Sequence, residues 1–355
     1  MIRRKRIIIP LILIAIVIYL LSGEKNYKCE GEEVMQSQNN ICINENEYEK
    51  QMRDKVLPLI LQYEKSGYFK SDDDINLFYR KFELPKPFAS IVIVHGFTEN
   101  THVYDELIYY MLEQNYSVYI YDQRCHGLSD RLTDTYNMVY VENFSDYTSD
   151  LKKFIDEIVP ESKIFLYGHS MGGAVVADFL ESYSDKINFA ILSAPMLQIL
   201  TKPYPPKVAA LYSETENLIG AKKKYCPGYG DFEKEKSLAN PVYKEYPRYR
   251  YAVNFAANNP KIITSGASFA WFKQSTKAIK KILQPENMEK IKIPIAMFQY
   301  GQDKTVMPGG QNKFASFVPN CKLYTIKDSE HNIYYMHNDI LNKYLNKVFE
   351  LFDAH

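Results

Sequence analysis

The feature that most limits the possible folds is an alternation of short apolar β-type runs with stretches of helical periodicity, beginning near residue 90. The β-type runs are almost continuously apolar, as in "SIVIVHG" and "KIFLYG", so we expect both faces of each strand to be buried. Strands of this kind joined by helices form parallel sheets covered on both faces. The chain is therefore predicted to be an α/β protein with a mostly parallel sheet flanked by helices. The predicted strands occupy 90–96, 116–122, 163–168, 189–194, 293–301 and 322–328.

Two segments depart from this alternation. Ahead of it, "YFKS" and "INLFYRKFEL" flank the turn-like stretch from Asp72 to Asp74 and predict an antiparallel hairpin. Within it, residues from about 196 to 292 are rich in Pro, Tyr and Lys and then become helix-like. An insertion between parallel strands lies over their carboxyl ends, where open α/β sheets bind ligands. This segment is therefore predicted to be a helical lid.

The stretch "FLYGHSMGGAVVADFL" places Ser170 between Gly168 and Gly172, where a predicted strand meets a predicted helix. Such a corner can be a tight packing turn, or it can expose a nucleophile. Glycines two residues before and two after the serine relieve crowding, so the backbone can hold a strained turn that pushes the hydroxyl outward. In this context the G-x-S-x-G pattern predicts Ser170 as a nucleophile.

A serine nucleophile needs a base, and this arrangement predicts an acid and then a histidine later in the chain. His331 follows the last predicted strand, where a loop at the carboxyl edge of the sheet belongs. Asp303 follows the preceding strand, in "FQYGQDKTV", and is predicted to orient the imidazole and stabilise its cation. Asp328 and Glu330 are competing acids. Glu330 is adjacent to His331, so the two side chains would point apart on an extended loop.

The transition state also needs N–H donors for its oxyanion. One predicted donor is the backbone N–H of Met171, the residue after the nucleophile. The other is that of Phe97 in "HGFTEN", the loop after the first parallel strand, where Gly96 lets the backbone approach the site. His95 precedes the nucleophile in the chain and is predicted to support this loop rather than to act as the base.

Composition narrows the class of protein. Lys and Arg together number 43, as do Asp and Glu, so no basic excess indicates nucleic-acid binding. The five cysteines show no CxxC spacing, and neither a metal site nor a cofactor is predicted. Cys29 and Cys42 either form a disulfide in an oxidising compartment or are two unrelated thiols, and the sequence leaves both possibilities open.

The N-terminus is predicted to lie outside the fold. Four basic residues, Arg3 to Arg6, precede an unbroken apolar run from Ile7 to Leu21, so residues 1–23 are predicted to be a signal anchor in the cytoplasmic membrane. Because the basic end stays in the cytoplasm, the rest of the chain would lie on the extracytoplasmic side. A cleaved signal peptide and a secreted protein are the alternative. Residues 24–66 are predicted to be a juxtamembrane spacer and lead-in helix, and 67–355 the catalytic domain with its lid.

Five motifs carry a resemblance to a known family: "HGFTEN", "DQRCHGLSD", "YGHSMGGAVV", "GQDKTV" and "SEHNIYY". In order and approximate spacing they resemble α/β-hydrolases of the lysophospholipase L2 and monoacylglycerol lipase type, in the serine aminopeptidase S33-like group. The resemblance covers roughly Gly67 to Phe352. It implies the α/β-hydrolase fold and hydrolysis of an acyl ester on a single-chain lipid. Cys125 departs from the pattern, since the family has glycine there, but the three catalytic candidates are unaffected.

Three hypotheses about function follow. The first is a membrane-anchored serine hydrolase that cleaves the acyl ester of lysophospholipids through an acyl-enzyme. The second is a monoacylglycerol lipase or a general carboxylesterase that uses the same triad. The third is a binding protein on a hydrolase fold, which the presence of all three triad candidates disfavours. The predicted partners are the lipid substrate and the membrane, and the sequence leaves the head group and the oligomeric state open.

Overall fold

A sheet of nine strands forms the centre of the protein, seen in a computed structural model that describes residues 27–36, 39–160 and 163–355. Its strands are β1 (Glu32–Glu33), β2 (Glu64–Lys70), β3 (Asn76–Phe82), β4 (Ser90–Val94), β5 (Ser117–Tyr121), β7 (Ile164–His169), β8 (Phe189–Ser193), β10 (Ile295–Tyr300) and β11 (Cys321–Ile326). The order from edge to edge is β1-β11-β10-β8-β7-β4-β5-β3-β2. Strand β3 is antiparallel to both its neighbours, and all the other neighbouring strands are parallel. Two short strands, β6 (Met138–Val139) and β9 (Gly266–Ala267), pair separately.

Helices connect the strands and build the insertion. The α-helices are α1 (Tyr48–Gln51), α2 (Leu57–Tyr63), α3 (Asp105–Glu113), α4 (Ser145–Ile158), α5 (Met171–Tyr183), α6 (Pro206–Leu218), α7 (Lys234–Leu238), α8 (Pro247–Asn258), α9 (Phe269–Ile282), α10 (Pro285–Met288), α11 (Pro308–Phe317) and α12 (Asn338–Asp353). A π-helical segment (Met52–Val56) joins α1 to α2, and 3₁₀ turns occur at Glu45–Glu47, Thr101–Tyr104, Ser184–Lys186, Pro260–Ile262 and Ile333–Tyr335.

The predicted parallel sheet and hairpin are confirmed. Each of the six predicted strands coincides with a parallel strand to within two residues at either end, from β4 to β11. The hairpin is β2–β3, which pairs from Glu64 opposite Phe82 to Lys70 opposite Asn76. Strands β4, β5, β7 and β8 are buried at every position, which accounts for their apolar sequences. The described residues form an α/β fold with a mostly parallel sheet.

The strand order places the loop after β4 beside the loop after β7. The chain runs from β4 to β5 on one side of β4 and then crosses to β7 on the other side. Because crossovers between parallel strands are right-handed, this reversal puts successive helices on opposite faces of the sheet. It also leaves a crevice at the carboxyl ends of β4 and β7, the usual position of a ligand site in such sheets.

The predicted lid segment lies between β8 and β10. Its described residues contain five α-helices, α6 to α10, together with β9, which pairs with β6 from outside the segment. Part of it faces the crevice, because Tyr229 and Tyr243 line the same cavity as Ser170. The insertion is thus joined to the rest of the fold through a short parallel pair as well as through its packing.

The N-terminal residues add an edge strand that the sequence analysis did not predict. Strand β1 pairs in parallel with β11, and the helical segment from α1 to α2 packs against α3 and α8. The predicted anchor at 1–23 lies outside the described residues. Within the described ranges, no helix has both the length and the hydropathy that crossing a bilayer requires.

The two cysteines of the open disulfide question are both free thiols. Cys42 is buried and its backbone N–H donates a hydrogen bond to Asn342 Oδ1 at 3.0 Å. Burial raises the pKa of the Cys42 thiol to about 12, so this thiol stays protonated near neutral pH. Cys29 lies in a different environment, near the start of β11.

Candidate active site

Ser170 occupies the turn between β7 and α5 in a conformation that few residues adopt. Its φ is 51° and its ψ is −117°, outside the helical and extended regions. Two backbone hydrogen bonds hold it there: its N–H donates to Ser193 O at 3.0 Å, and its carbonyl accepts from Met196 N at 2.8 Å. Hydrogen bonds to the end of β8 and to the residues just after it therefore hold the backbone of Ser170 in this conformation.

The glycines flanking the nucleophile are required by close contacts. A Cβ on Gly172 would lie 2.0 Å from the carbonyl oxygen of Val94, so any side chain there would push α5 away from β4. A Cβ on Gly168 would lie 2.9 Å from the backbone of Gly172 and Gly173. Because neither glycine has a side chain, α5 can begin directly against the sheet, with Ser170 immediately before its first residue.

The structure brings Ser170, His331 and Asp303 into one hydrogen-bonded chain. Ser170 Oγ donates to His331 Nε2 at 2.8 Å, and His331 Nδ1 donates to Asp303 Oδ2 at 2.7 Å. Each residue lies at the end of a different strand: β7, β10 and the loop after β11. Of the competing acids, Glu330 is instead 3.8 Å from Lys304. Asp303 therefore occupies the position of the acid.

The carboxylate of Asp303 is held in its charged form. Burial alone would raise its pKa, but the hydrogen bond and charge of His331 outweigh burial and lower the pKa below its usual range. The other oxygen, Oδ1, accepts from the backbone N–H of Thr305 at 2.7 Å and of Val306 at 3.0 Å. These contacts fix the carboxylate so that it can orient the imidazole and stabilise its cation.

The two predicted oxyanion donors flank the nucleophile. Met171 begins α5, and Phe97 lies in the loop after β4, beside the carboxyl end of β7. Among the residues that the structure describes, neither backbone N–H donates to a protein acceptor. Their assignment as the two donors of an oxyanion hole stays a prediction, and neither N–H has a competing acceptor among these residues.

His95, predicted to support the loop after β4, is hydrogen-bonded on both ring nitrogens. Its Nε2 accepts from the backbone N–H of Gln123 at 2.9 Å, and its Nδ1 donates to Gly96 O at 2.8 Å. Burial lowers the pKa of His95, so the ring is neutral. The side-chain amide of Gln123 also donates to His95 O at 2.7 Å, which ties the loop after β4 to the loop after β5.

Comparison with known proteins shows the family of this chain. The family model described as "Serine aminopeptidase, S33" matches residues 85–337, which include every member of the triad. The chain belongs to this family. The predicted resemblance is therefore confirmed, and with it the prediction of an ester hydrolase of the α/β-hydrolase superfamily.

Relatives of this S33-family hydrolase share most of its length. It is 27% identical over 299 residues to the probable lysophospholipase L2 of Haemophilus influenzae, covering 83% of this chain and 93% of that protein. It is 25% identical over 297 residues to lysophospholipase L2 of Escherichia coli, covering 81% and 87%. Among solved structures, a soluble variant of monoglyceride lipase from Saccharomyces cerevisiae has a TM-score of 0.64 at 18% identity, covering 82% and 96% of the two chains.

The S33-family hydrolase also contains a positioning residue, Glu99, that sequence reasoning missed. Its carboxylate accepts from the backbone N–H of Gly96 at 2.6 Å, from Tyr104 Oη at 2.7 Å and from the side-chain amide of Asn332 at 3.1 Å. Tyr334 Oη donates to the same carboxylate. Glu99 thereby joins the oxyanion loop to the loop that carries His331. It lies within the "HGFTEN" motif, but two of its partners, Asn332 and Tyr334, lie far away in the chain.

Trp271, in helix α9 of the lid segment, is a second missed residue. Its ring packs on Phe97 with centroids 4.2 Å apart, and its Nε1–H donates to Met171 Sδ at 3.3 Å. The single Trp of the chain therefore contacts the side chains of both candidate oxyanion residues. The sequence places this residue in "FAWF", a lid stretch that could line an acyl channel or pack within the lid, and gives no sign of either contact.

A cavity of about 640 Å³ opens onto Ser170 and His331. This volume suits a ligand of small-molecule size. The lining includes three aromatic residues from the lid segment, Tyr229, Tyr243 and Phe255. The rings supply apolar surface, and the tyrosines add hydroxyl groups for hydrogen bonds. The site can therefore hold an acyl ester against the nucleophile.

Proposed function

We propose that this chain is a membrane-anchored serine hydrolase that cleaves the acyl ester of lysophospholipids through an acyl-enzyme at Ser170. The observation that carries the proposal is the unbroken hydrogen-bonded chain from Ser170 through His331 to Asp303, at the wall of the 640 Å³ cavity. A buried serine with a base and an oriented acid, next to free backbone donors, is the arrangement that acyl transfer needs.

In the first half of the reaction, Ser170 Oγ attacks the ester carbonyl while His331 Nε2 accepts its proton. The N–H groups of Phe97 and Met171 stabilise the oxyanion that forms. Asp303 keeps its charge and stabilises the imidazolium. As the tetrahedral intermediate collapses, His331 gives the proton to the departing head-group alcohol, and the acyl chain stays on Ser170.

In the second half, water replaces the alcohol. His331 takes a proton from the water, whose oxygen attacks the acyl-enzyme carbonyl, and the same two N–H groups hold the new oxyanion. Collapse returns the proton to Ser170 Oγ and releases the fatty acid. No step requires a group from outside the chain and its substrates.

Two considerations support a lipid ester as the substrate. The relatives named lysophospholipase L2 align over more than four-fifths of this chain, at 27% and 25% identity. In addition, an anchor formed by residues 1–23 would hold the site close to lipid and raise the effective concentration of substrate without new contacts. The basic residues Arg3 to Arg6 would remain in the cytoplasm, and the hydrolase would lie on the extracytoplasmic side.

A substrate panel tests the proposal. The full-length chain in detergent is given lysophosphatidylcholine, monoacylglycerol and short-chain water-soluble esters, and released fatty acid is measured. We expect lysophosphatidylcholine to be preferred by kcat/KM, and Ser170→Ala to lose activity by about 10⁴-fold or more. Ser316→Ala is the matched control, because Ser316 is exposed on α11 and hydrogen-bonds only within its own helix.

The alternatives give different patterns in the same panel. Preference for monoacylglycerol would identify a monoacylglycerol lipase, and preference for short esters would identify a general carboxylesterase. A fluorophosphonate probe should label the wild type and not Ser170→Ala. Absence of labelling in the wild type would instead favour a binding protein on a hydrolase fold.

The anchor is tested separately in cells. We expect the chain in the membrane fraction, with its hydrolase domain digested when protease is added to intact spheroplasts. Recovery in the medium of a chain lacking the first 23 or so residues would establish the secreted alternative. Protection until the membrane is permeabilised would contradict the extracytoplasmic placement.

A further inference from the structure

The pairing of β1 with β11 places two cysteines opposite each other. Glu32 pairs with Tyr324 and Glu33 with Thr325, an offset that stays constant along parallel strands. Three residues before the Glu32–Tyr324 pair, the same register places Cys29 opposite Cys321, the first residue of β11. Neighbouring strands lie about 4.8 Å apart, within the Cα separations of disulfides.

The side chains of these two cysteines also share one face. Side chains alternate along a strand, so Cys29, Gly31 and Glu33 point to the same side. A Cβ on Gly31 would lie 2.5 Å from Thr325 Cγ2 and 3.2 Å from Leu323 Cγ, so this is the side of β11 that also carries Cys321. On the other face, Glu32 pairs with Lys322 at 2.6 Å.

The chain just before Cys29 is held to the same region. The Asn312 side-chain amide donates to Tyr27 O at 3.0 Å, and the Tyr27 ring packs edge-on against Phe317, with centroids 6.1 Å apart. Both partners belong to α11, which leads directly into β11. Cys29 is therefore fixed on one side by α11 and on the other by the β1–β11 pairing. Cys29 and Cys321 are both partly buried against the main core.

We propose that Cys29 and Cys321 form a disulfide in an oxidising compartment and that this bond fastens the N-terminal strap (27–34) to the catalytic domain. The oxidant is a disulfide-bearing molecule or a disulfide-transferring protein. The Cys29 thiolate attacks one sulfur of that disulfide and releases a thiol. Cys321 then loses its proton, attacks the Cys29 sulfur and releases the second thiol, so two cysteine thiols are oxidised as one disulfide is reduced to two thiols.

The bond would act on the edge strand that precedes the catalytic histidine. Without β1, strand β11 would present an open edge, and the loop that follows β11 carries His331. Burial and the neighbouring Cys29 raise the pKa of the Cys321 thiol, so we expect oxidation to accelerate as the pH rises. The bond would also join the chain that follows residues 1–23 covalently to the sheet.

The test is a peptide map of the full-length protein in detergent. After incubation with oxidised glutathione, free thiols are blocked with N-ethylmaleimide and the protein is digested with trypsin without reduction. We expect a linked pair of peptides, 29–50 and 314–322, that separates on reduction. Recovery of Cys29 and Cys321 as maleimide adducts after oxidation would overturn the proposal.

Matched variants identify the partner within peptide 29–50, which contains both Cys29 and Cys42. The link should persist in Cys42→Ser and disappear in Cys29→Ser. The opposite pattern would assign the bond to Cys42 and overturn the proposal. As a second readout, reduction should lower the melting temperature of the oxidised wild type by several degrees and leave that of Cys29→Ser unchanged. Neither measurement depends on the identity of the substrate, so both remain informative if the proposed activity is wrong.

Discussion

At the scale of single residues, the site depends on one carboxylate that keeps its charge although it is mostly buried. An isolated buried carboxylate would bind a proton, because burial disfavours the charged form. Asp303 is kept ionised by His331 and by the N–H groups of Thr305 and Val306. The same contacts fix its orientation, so the imidazole presents Nε2 to Ser170 rather than Nδ1.

Replacement of Asp303 by Asn should therefore remove the charge and disturb the tautomer while it keeps the shape. If the amide NH₂ donates to His331 Nδ1, the neutral ring must carry its proton on Nε2. That atom could then no longer accept the proton of Ser170. We expect Asp303→Asn to lower kcat by about 10³- to 10⁴-fold, with a much smaller change in KM. Steady-state kinetics of ester hydrolysis measure this effect. Glu330→Gln is the control, and a comparable loss there would contradict the assignment of the acid.

At the scale of elements, helix α9 of the lid segment contacts two residues next to the nucleophile. Helix α9 begins with a side-chain cap, in which Ser268 Oγ accepts from the N–H of Trp271 at 3.1 Å. The cap fixes the first turn, and with it the Trp271 ring against Phe97 and Met171. The lid segment therefore supports both predicted oxyanion residues, in addition to lining the cavity.

Substitution of Trp271 distinguishes this supporting role from a role in the cavity wall. If the ring positions the oxyanion loop, Trp271→Ala should lower kcat by about 10- to 100-fold, less than the complete loss of one oxyanion donor, with little change in KM. Trp271→Phe should recover part of kcat because it keeps packing against Phe97. Phe272→Leu, at the next position of α9, serves as the control. An increase in KM alone would assign the ring to substrate binding.

At the scale of the whole molecule, the parts that could be predicted from the sequence are those with a local pattern. The buried parallel strands have continuous apolar sequences, and Ser170, Asp303 and His331 each follow a strand in the expected order. Strands β1, β6 and β9 are two residues long, too short for any periodicity to mark them. Glu99 also binds Asn332 and Tyr334, and Trp271 contacts Phe97 and Met171, from distant parts of the chain, so only the tertiary structure reveals these roles.

A second buried carboxylate, Glu181 in α5, links the stability of the molecule to pH. Its side chain is 2% exposed and lies 3.3 Å from Lys281 of α9, while its Oε1 has no hydrogen-bond partner among the described residues. Burial raises the pKa of Glu181 to about 7, and the neighbouring Lys281 only partly opposes this. Lys281 also donates to Asp178 at 2.7 Å, so its charge is shared between two carboxylates.

The sign of the pH dependence follows from the direction of this shift. Since the folded state binds the Glu181 proton more tightly than the unfolded state, the free energy of unfolding should fall as the pH rises from about 4.5 to about 7. Glu181→Gln should remove this dependence and be more stable than wild type at pH 8 by about 3 kcal/mol, and nearly equal to it at pH 4.5. Urea unfolding at the two pH values, with the exposed Glu157→Gln as control, measures the difference. A variant less stable than wild type at pH 8 would mean that Glu181 is ionised and that its ion pair with Lys281 stabilises the contact between α5 and the lid segment.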